Sequence, residues 1–242
     1  NRQYGGAAIL ATTSAVYSGA GLVSVALAKE NHSALQARLP EAMTLDFDDL
    51  IKLREVAKAA DVIVIGPGLG LERLDLLTEV LNLLTENQKL VIDGSALTLF
   101  AREHLDLPFP ENTVFTPHEM ELERLSGLKI GQQTKEEVQD FVNQLGAIVV
   151  AKSSETRIFA PNRESFILKI GSPAQATGGM GDTLAGMVGG FLAQFHGETE
   201  EVVAVATYLH SLIASVLAQK TYVVLPSRLI EEIPLFMKKY EC

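Results

Sequence analysis

Thr177-Gly178-Gly179-Met180-Gly181-Asp182-Thr183-Leu184-Ala185-Gly186 sets three glycines and one carboxylate directly before an apolar run with helical spacing that reaches Phe195. Glycines lack Cβ, so successive backbone N–H groups can converge on one anion. The start of a helix adds unpaired donors and the positive end of its dipole. The stretch reads as a phosphate cradle built where a loop enters a helix, formed by Gly178, Gly179, Met180 and Gly181, with Asp182 at its mouth. A carboxylate beside a pocket for anions is electrostatically costly, and the cost makes sense where that carboxylate takes a proton from an attacking hydroxyl. An Asp after a Gly-rich turn also caps helices, so both readings stand on this segment alone.

Around this turn the chain alternates short β-branched runs with longer amphipathic ones, the pattern of an α/β fold. Leu22 to Leu27, Asp61 to Ile65, Lys89 to Ile92, Thr113 to Phe115 and Ala147 to Ala151 are nearly continuous apolar segments. Strands of this kind are covered by helices on both faces. Thr156 to Ala160 and Ser165 to Leu168, separated by Pro161-Asn162-Arg163-Glu164, read as a hairpin at the sheet edge. Helices are expected near Ala7 to Ala20, Asp49 to Ala59, Glu72 to Thr85, His118 to Leu125, Lys135 to Leu145, Asp182 to Phe195, Glu200 to Ala218 and Ser227 to Lys238. Thr134 with Glu137 offers a capping box. No repeat, low-complexity tract or long linker interrupts the pattern, so one domain over residues 1–242 is expected. Ligands of open parallel sheets bind beyond the carboxyl ends of the strands, which places the chemistry in the loops that follow them.

With 242 residues, 47% hydrophobic and 21% charged, the chain is long enough to bury one large core. A formal net charge of -10 argues against nucleic acid or an anionic membrane as partner, so any phosphate is held locally. The run nearest to membrane length, Val202 to Ala218, is broken by Thr207, Tyr208, His210, Ser211 and Ser215 and reads as a buried helix. Cys242 is the only cysteine, which leaves no intrachain disulfide and no Cys-based metal site and fits a reducing cytoplasm. The chain opens at Asn1-Arg2-Gln3 with neither Met nor a signal-peptide pattern, and an upstream first strand is expected.

Several motifs narrow the chemistry. No Gly-Lys dipeptide occurs, hence no Walker-type phosphate loop. Gly66-Pro67-Gly68-Leu69-Gly70 follows a strand, but its spacing is not that of the dinucleotide fingerprint and Pro67 stiffens the turn, which disfavours a plain Rossmann dehydrogenase. Its bare backbone suits the close approach of a flat ligand; a tight strand-to-helix turn explains the same glycines. His118-Glu119 does not open a zincin motif, because the second histidine position is Leu122. Asp93, just past a buried strand, either orients a ligand hydroxyl or hydrated cation or caps the following helix. In Thr116-Pro117-His118-Glu119-Met120-Glu121-Leu122, Thr116 reads as N-cap, Pro117 as the first helical residue and Glu119 as the capping-box partner. That leaves His118 and Glu121, three apart on one face, for a substrate contact and a metal's water shell, with a surface or capping role for His118 equally open. Lys152-Ser153-Ser154-Glu155-Thr156 joins two strands and offers an ammonium and hydroxyls to a nucleotide; a solvated turn is the rival reading.

Taken in order along the chain, these pieces resemble the ADP/ATP-dependent NAD(P)H-hydrate dehydratases, a branch of the ribokinase-like superfamily. The resemblance rests on Tyr4-Gly5-Gly6-Ala7-Ala8, Ser18-Gly19-Ala20-Gly21-Leu22-Val23, Gly66 to Gly70, Asp93, Thr116-Pro117-His118 with Glu121, Lys152 to Thr156 and Thr177 to Asp182, and spans essentially the whole chain. It implies a ribokinase-like three-layer sandwich, an α/β fold with a mostly parallel central sheet between helical layers. It implies a repair reaction in which the hydrated nicotinamide ring of NADH or NADPH is restored at the expense of ADP or ATP, with Mg²⁺. By this likeness Ala7, Gly68, Gly70, His118 and Asp182 surround the hydrate, and Lys152, Ser153, Ser154, Glu155, Thr156 and Gly181 surround the nucleotide. Asp182 deprotonates the hydroxyl as it attacks the terminal phosphoryl group, Gly178 to Gly181 stabilise the transferring group, and Glu121 holds Mg²⁺ through water. A cytoplasmic homotetramer is implied as well. Met180 stands where a Thr is frequent, Ser153 replaces a usual Gly, and Ser95 occupies a position often acidic. Two other readings remain open: a kinase of a small hydroxymethyl metabolite with a stable phosphorylated product, and a catalytically silent nucleotide-binding module.

Overall fold

The computed structural model describes residues 1–240, so Cys242 lies outside the described residues. The elements run α1 (Gly5–Tyr17), β1 (Ser24–Leu27), α2 (His32–Arg38), β2 (Met43–Asp46), α3 (Leu50–Ala59), β3 (Val62–Ile65), α4 (Leu74–Leu83), β4 (Lys89–Ile92) and α5 (Gly94–Arg102). They continue with β5 (Thr113–Phe115), α6 (Glu119–Ser126), α7 (Lys135–Leu145), β6 (Ile148–Ala151), β7 (Arg157–Phe159), β8 (Phe166–Ile167), α8 (Met180–Gln194), α9 (Thr199–Ala218) and α10 (Pro226–Lys239). Six strands form the main sheet in the order β3-β4-β5-β6-β7-β8. The first four pair in parallel, and β7 and β8 close the edge as the antiparallel hairpin.

Alternation along the strands sends side chains into two cores. Val91, Val114, Ile148, Val150 and Ile158 meet the buried faces of α8, α9 and α10. Leu90, Ile92, Phe115, Val149 and Phe159 point the other way, onto α4, α5, α6 and α7. This is the expected three-layer arrangement, and near-total burial explains why these strands read as unbroken apolar runs.

The strand expected at Leu22 to Leu27 is shorter and sits outside the main sheet. β1 pairs in parallel with β2 in a separate two-stranded sheet backed by Leu35 and Leu39. α1 stops at Tyr17 instead of Ala20, because Gly19 takes a left-handed φ of 91°.

α1 lies against α8 with almost no side chain between them. A Cβ at Gly186 would overlap the carbonyl of Ala11, and one at Gly190 would stand 3.0 Å from the Ala15 carbonyl oxygen. α9 meets the length and apolarity of a membrane span, yet 56% of its most apolar stretch is buried inside this protein. It packs on α8 and α10, with Val203, Ala206, Ile213 and Ala214 in the core.

Candidate active site

α8 is entered through Gly179, whose φ of 91° is left-handed, and a Cβ there would collide with Leu10 on α1. Met180, Gly181 and Asp182 are thus the first three residues of the helix. The amides of Gly178, Gly179, Gly181 and Asp182 have no protein acceptor among the described residues. The Met180 amide, expected among the cradle donors, instead donates to the Thr177 carbonyl at 3.4 Å, so the donors left at this helix entrance, where its dipole is positive, are those four. Beneath it, His210 of α9 is buried with its ring against the backbone of Met180, and burial pulls its pKa down to about 4. The core under the cradle therefore holds a neutral imidazole.

The capping reading of Asp182 does not hold, since Gly179 occupies the cap and the Asp182 carboxylate accepts no hydrogen bond from the described residues. A carboxylate in a helix's first turn is ordinarily stabilised as the anion. Here burial, first, and the negative charge of Asp93, second, push Asp182 up to about 6; Lys152 opposes them and Glu121 adds to them.

Asp93 does not cap α5 with its side chain. Its Oδ1 accepts from Thr116 Oγ1 at 2.7 Å and from Lys152 Nζ at 2.9 Å. Thr116 is therefore not the N-cap of α6. His118 is: its Nδ1 accepts from the amides of Met120 and Glu121, while Glu121 Oε2 accepts from the His118 amide at 2.9 Å, closing a capping box. The two residues that looked like leftovers from helix punctuation are the punctuation. Glu119 has no part in the box, and for α7 only the Thr134 half of the expected box forms.

Lys152 extends β6 by one residue, its amide donating to the Pro117 carbonyl at 2.8 Å. Burial works against its charge, but Asp93, Glu121 and Asp182 outweigh it and hold the ammonium above its ordinary pKa. Beyond it the loop is a turn stabilised locally: Ser153 Oγ accepts from the Glu155 amide and Thr156 Oγ1 donates to the Ser153 carbonyl.

Two hollows flank these groups. A cleft of about 940 Å³ is bordered by Tyr4, Phe47, Gly70, Arg73, Ser95 and Glu121, among others. A second hollow of about 450 Å³ lies between the Lys152-Ser153-Ser154-Glu155 loop and α7. Glu121 lines the first and Lys152 the second; Asp182 lines neither, though both residues act on it electrostatically. Of the residues expected around the hydrate, Gly70 lines the cleft. Ala7, Gly68 and His118 do not line it: a Cβ at Gly68 would fall 3.3 Å from that of Ala7, and His118 is exposed at the start of α6. Thr156 and Gly181 do not line the second hollow. The cleft wall made by Phe47, with the Arg73 guanidinium 4.3 Å over its ring, escaped the sequence reading. Nothing local marks that pair, which is assembled from the end of β2 and the start of α4.

A family model described as NAD(P)H-hydrate dehydratase matches residues 1–235. The chain is 99% identical over 242 residues to the ADP-dependent (S)-NAD(P)H-hydrate dehydratase of Lactococcus lactis subsp. lactis (strain IL1403), the match covering 100% of this chain and 88% of that protein. A ribokinase-like superfamily protein from Enterococcus faecalis V583 superposes with a TM-score of 0.97 at 49% identity, covering 99% of this chain and 84% of that one. The ADP/ATP-dependent NAD(P)H-hydrate dehydratase of Bacillus subtilis, co-crystallised with ATP/Mg²⁺ and soaked with CoA, superposes with a TM-score of 0.84 at 26% identity, covering 99% and 88%. Fold, glycine-rich helix entrance and these matches agree: the chain belongs to the NAD(P)H-hydrate dehydratase family.

Proposed function

We propose that this chain removes water from hydrated NADH or NADPH at the expense of ADP or ATP, with the nucleotide over the Lys152 to Thr156 loop and the hydrated ring in the cleft beside Gly70 and Glu121. The Lactococcus relative is named ADP-dependent, which supports ADP as the natural donor. One observation carries the reading: among the described residues, half-buried Asp182 accepts no hydrogen bond and lies in the first turn of a helix whose entrance leaves four backbone N–H groups without an acceptor.

Asp182 accepts the proton of the ring hydroxyl as that oxygen bonds to the terminal phosphorus, and the bond from phosphorus to the nucleotide breaks, leaving AMP from ADP or ADP from ATP. The amides of Gly178, Gly179, Gly181 and Asp182 take up charge on the transferring group without having to reorganise. The carbon–oxygen bond then breaks with loss of phosphate, the neighbouring ring carbon gives up a proton, and the double bond is restored. A carboxylate titrating near 6 is mostly ionised at neutral pH and still more basic than an ordinary Asp.

Among the described residues no three His, Cys, Asp or Glu side chains gather as a metal site. That fits a cation carried on nucleotide phosphates, which needs few protein ligands. Glu121 Oε2 is occupied by His118, whereas among the described residues Oε1 has no protein donor and could hold a water of such a Mg²⁺. When bound, the ion would neutralise phosphate charge. We also take copies of the chain to assemble as a tetramer, the exposed Val205 and Tyr208 of α9 supplying apolar surface for subunit contact.

The test incubates the protein with hydrated NADH, Mg²⁺ and either ADP or ATP and follows reduced-nicotinamide absorbance together with free phosphate. Absorbance and inorganic phosphate rising in equal amounts is the expected result. No return with either nucleotide overturns the reading, and a stable phosphomonoester would favour the kinase.

A further inference from the structure

Asp93 has no role in the steps above, yet it is the most enclosed carboxylate beside Asp182, only 3% exposed. Its backbone N–H donates to the Ile65 carbonyl at 3.1 Å, which fixes it at the carboxyl end of the sheet. Its side chain does no capping work. One oxygen collects the hydroxyl of Thr116, which follows β5, and the ammonium of Lys152, which follows β6. That ammonium reaches the second residue of α8: a Cβ at Gly181 would stand 3.1 Å from Lys152 Nζ and 3.9 Å from Asp93 Oδ2. Three strand ends thus converge on the helix entrance, and the missing side chain at Gly181 leaves room for the cation.

We infer that Asp93, steadied by Thr116, is the positioning residue that holds the Lys152 ammonium against the opening of α8, facing the phosphoryl group during transfer. The inference rests on the reaction proposed above. A lysine on a four-carbon stem has many rotamers, and a buried carboxylate at 2.9 Å selects one. Charge shifts onto the peripheral and leaving oxygens only as the phosphoryl group moves, so a fixed cation acts mainly on the transition state. Asp93 acts through Lys152 and touches neither reactant.

Asp93→Asn keeps the shape and can still accept from Thr116, but it loses the charge that holds Lys152. The expected result is a kcat about 10- to 100-fold lower with nucleotide KM changed by less than about threefold. Lys152→Met should be at least as slow, and the double variant no slower than Lys152→Met alone, since the two residues act as one unit. A wild-type kcat for Asp93→Asn overturns the inference, as does a double variant at least about tenfold slower than Lys152→Met. Asp93→Asn strands a buried ammonium and Lys152→Met a buried carboxylate, so either single variant can misfold; the double variant buries neither charge, and comparing its turnover with that of Lys152→Met, each shown folded by circular dichroism, decides the matter. Wild-type turnover is measured alongside. Its absence removes the reaction and this assignment together, whereas normal turnover in both wild type and Asp93→Asn removes only the role of Asp93.

Discussion

Asp182 is held in a state that its own fold resists. A carboxyl whose proton affinity rises from 3.8 to about 6 on folding weakens the folded state as pH climbs through that interval, because above it the anion stays ionised against burial and Asp93. At about 1.4 kcal/mol per unit, discounted for partial exposure, the strain is about 2 kcal/mol. Asp182→Asn should therefore melt several degrees higher than wild type at pH 8, with the difference gone near pH 4, as calorimetry at the two pH values would measure. The same variant should keep nucleotide-induced thermal stabilisation and lose about 10³-fold in turnover. In the wild type, kcat/KM should fall below pH about 6 as the base is protonated. Undiminished turnover in Asp182→Asn would remove it from the mechanism. The helix entrance that carries Asp182 was legible in the sequence because glycine spacing marks it. The Asp93 and Lys152 pairing was not, since 59 residues separate partners that only the sheet brings together.

The seam between α1 and α8 predicts opposite results for two glycines. Gly186→Ala forces a methyl into the Ala11 carbonyl and should cost about 2–3 kcal/mol in urea unfolding. Gly6→Ala, on α1 with nothing within 4 Å of the new Cβ, should gain about 0.4–1 kcal/mol. Equal effects would mean that the seam is looser than its backbone contacts indicate. Strands β3 to β6 could be read from the chain because burial on both faces leaves them continuously apolar. β2 could not: Met43-Thr44-Leu45-Asp46 is half-exposed in a two-stranded sheet and lacks that signature. α5 begins at Gly94, in a left-handed conformation that a helix-propensity reading discounts, and its start is dictated by the end of β4. α6 was found but its cap was misplaced by two residues, because histidine is an uncommon acceptor for helix amides.

For the whole molecule, light scattering at micromolar concentration should report four times the 26.1 kDa of one chain, and replacing Val205 and Tyr208 with Glu should lower that mass without loss of helix content. A monomeric wild type would remove the assembly. α9 carries one more consequence. Stripped of its neighbours, it has the length and apolarity of a segment that membrane-insertion machinery would engage. Its position in the chain gives it part of its cover early, because α8, on which it packs, is synthesised before it, while α10 follows. A circular permutant that emitted α9 first would send a bare greasy helix past the signal-recognition apparatus with nothing yet built to cover it.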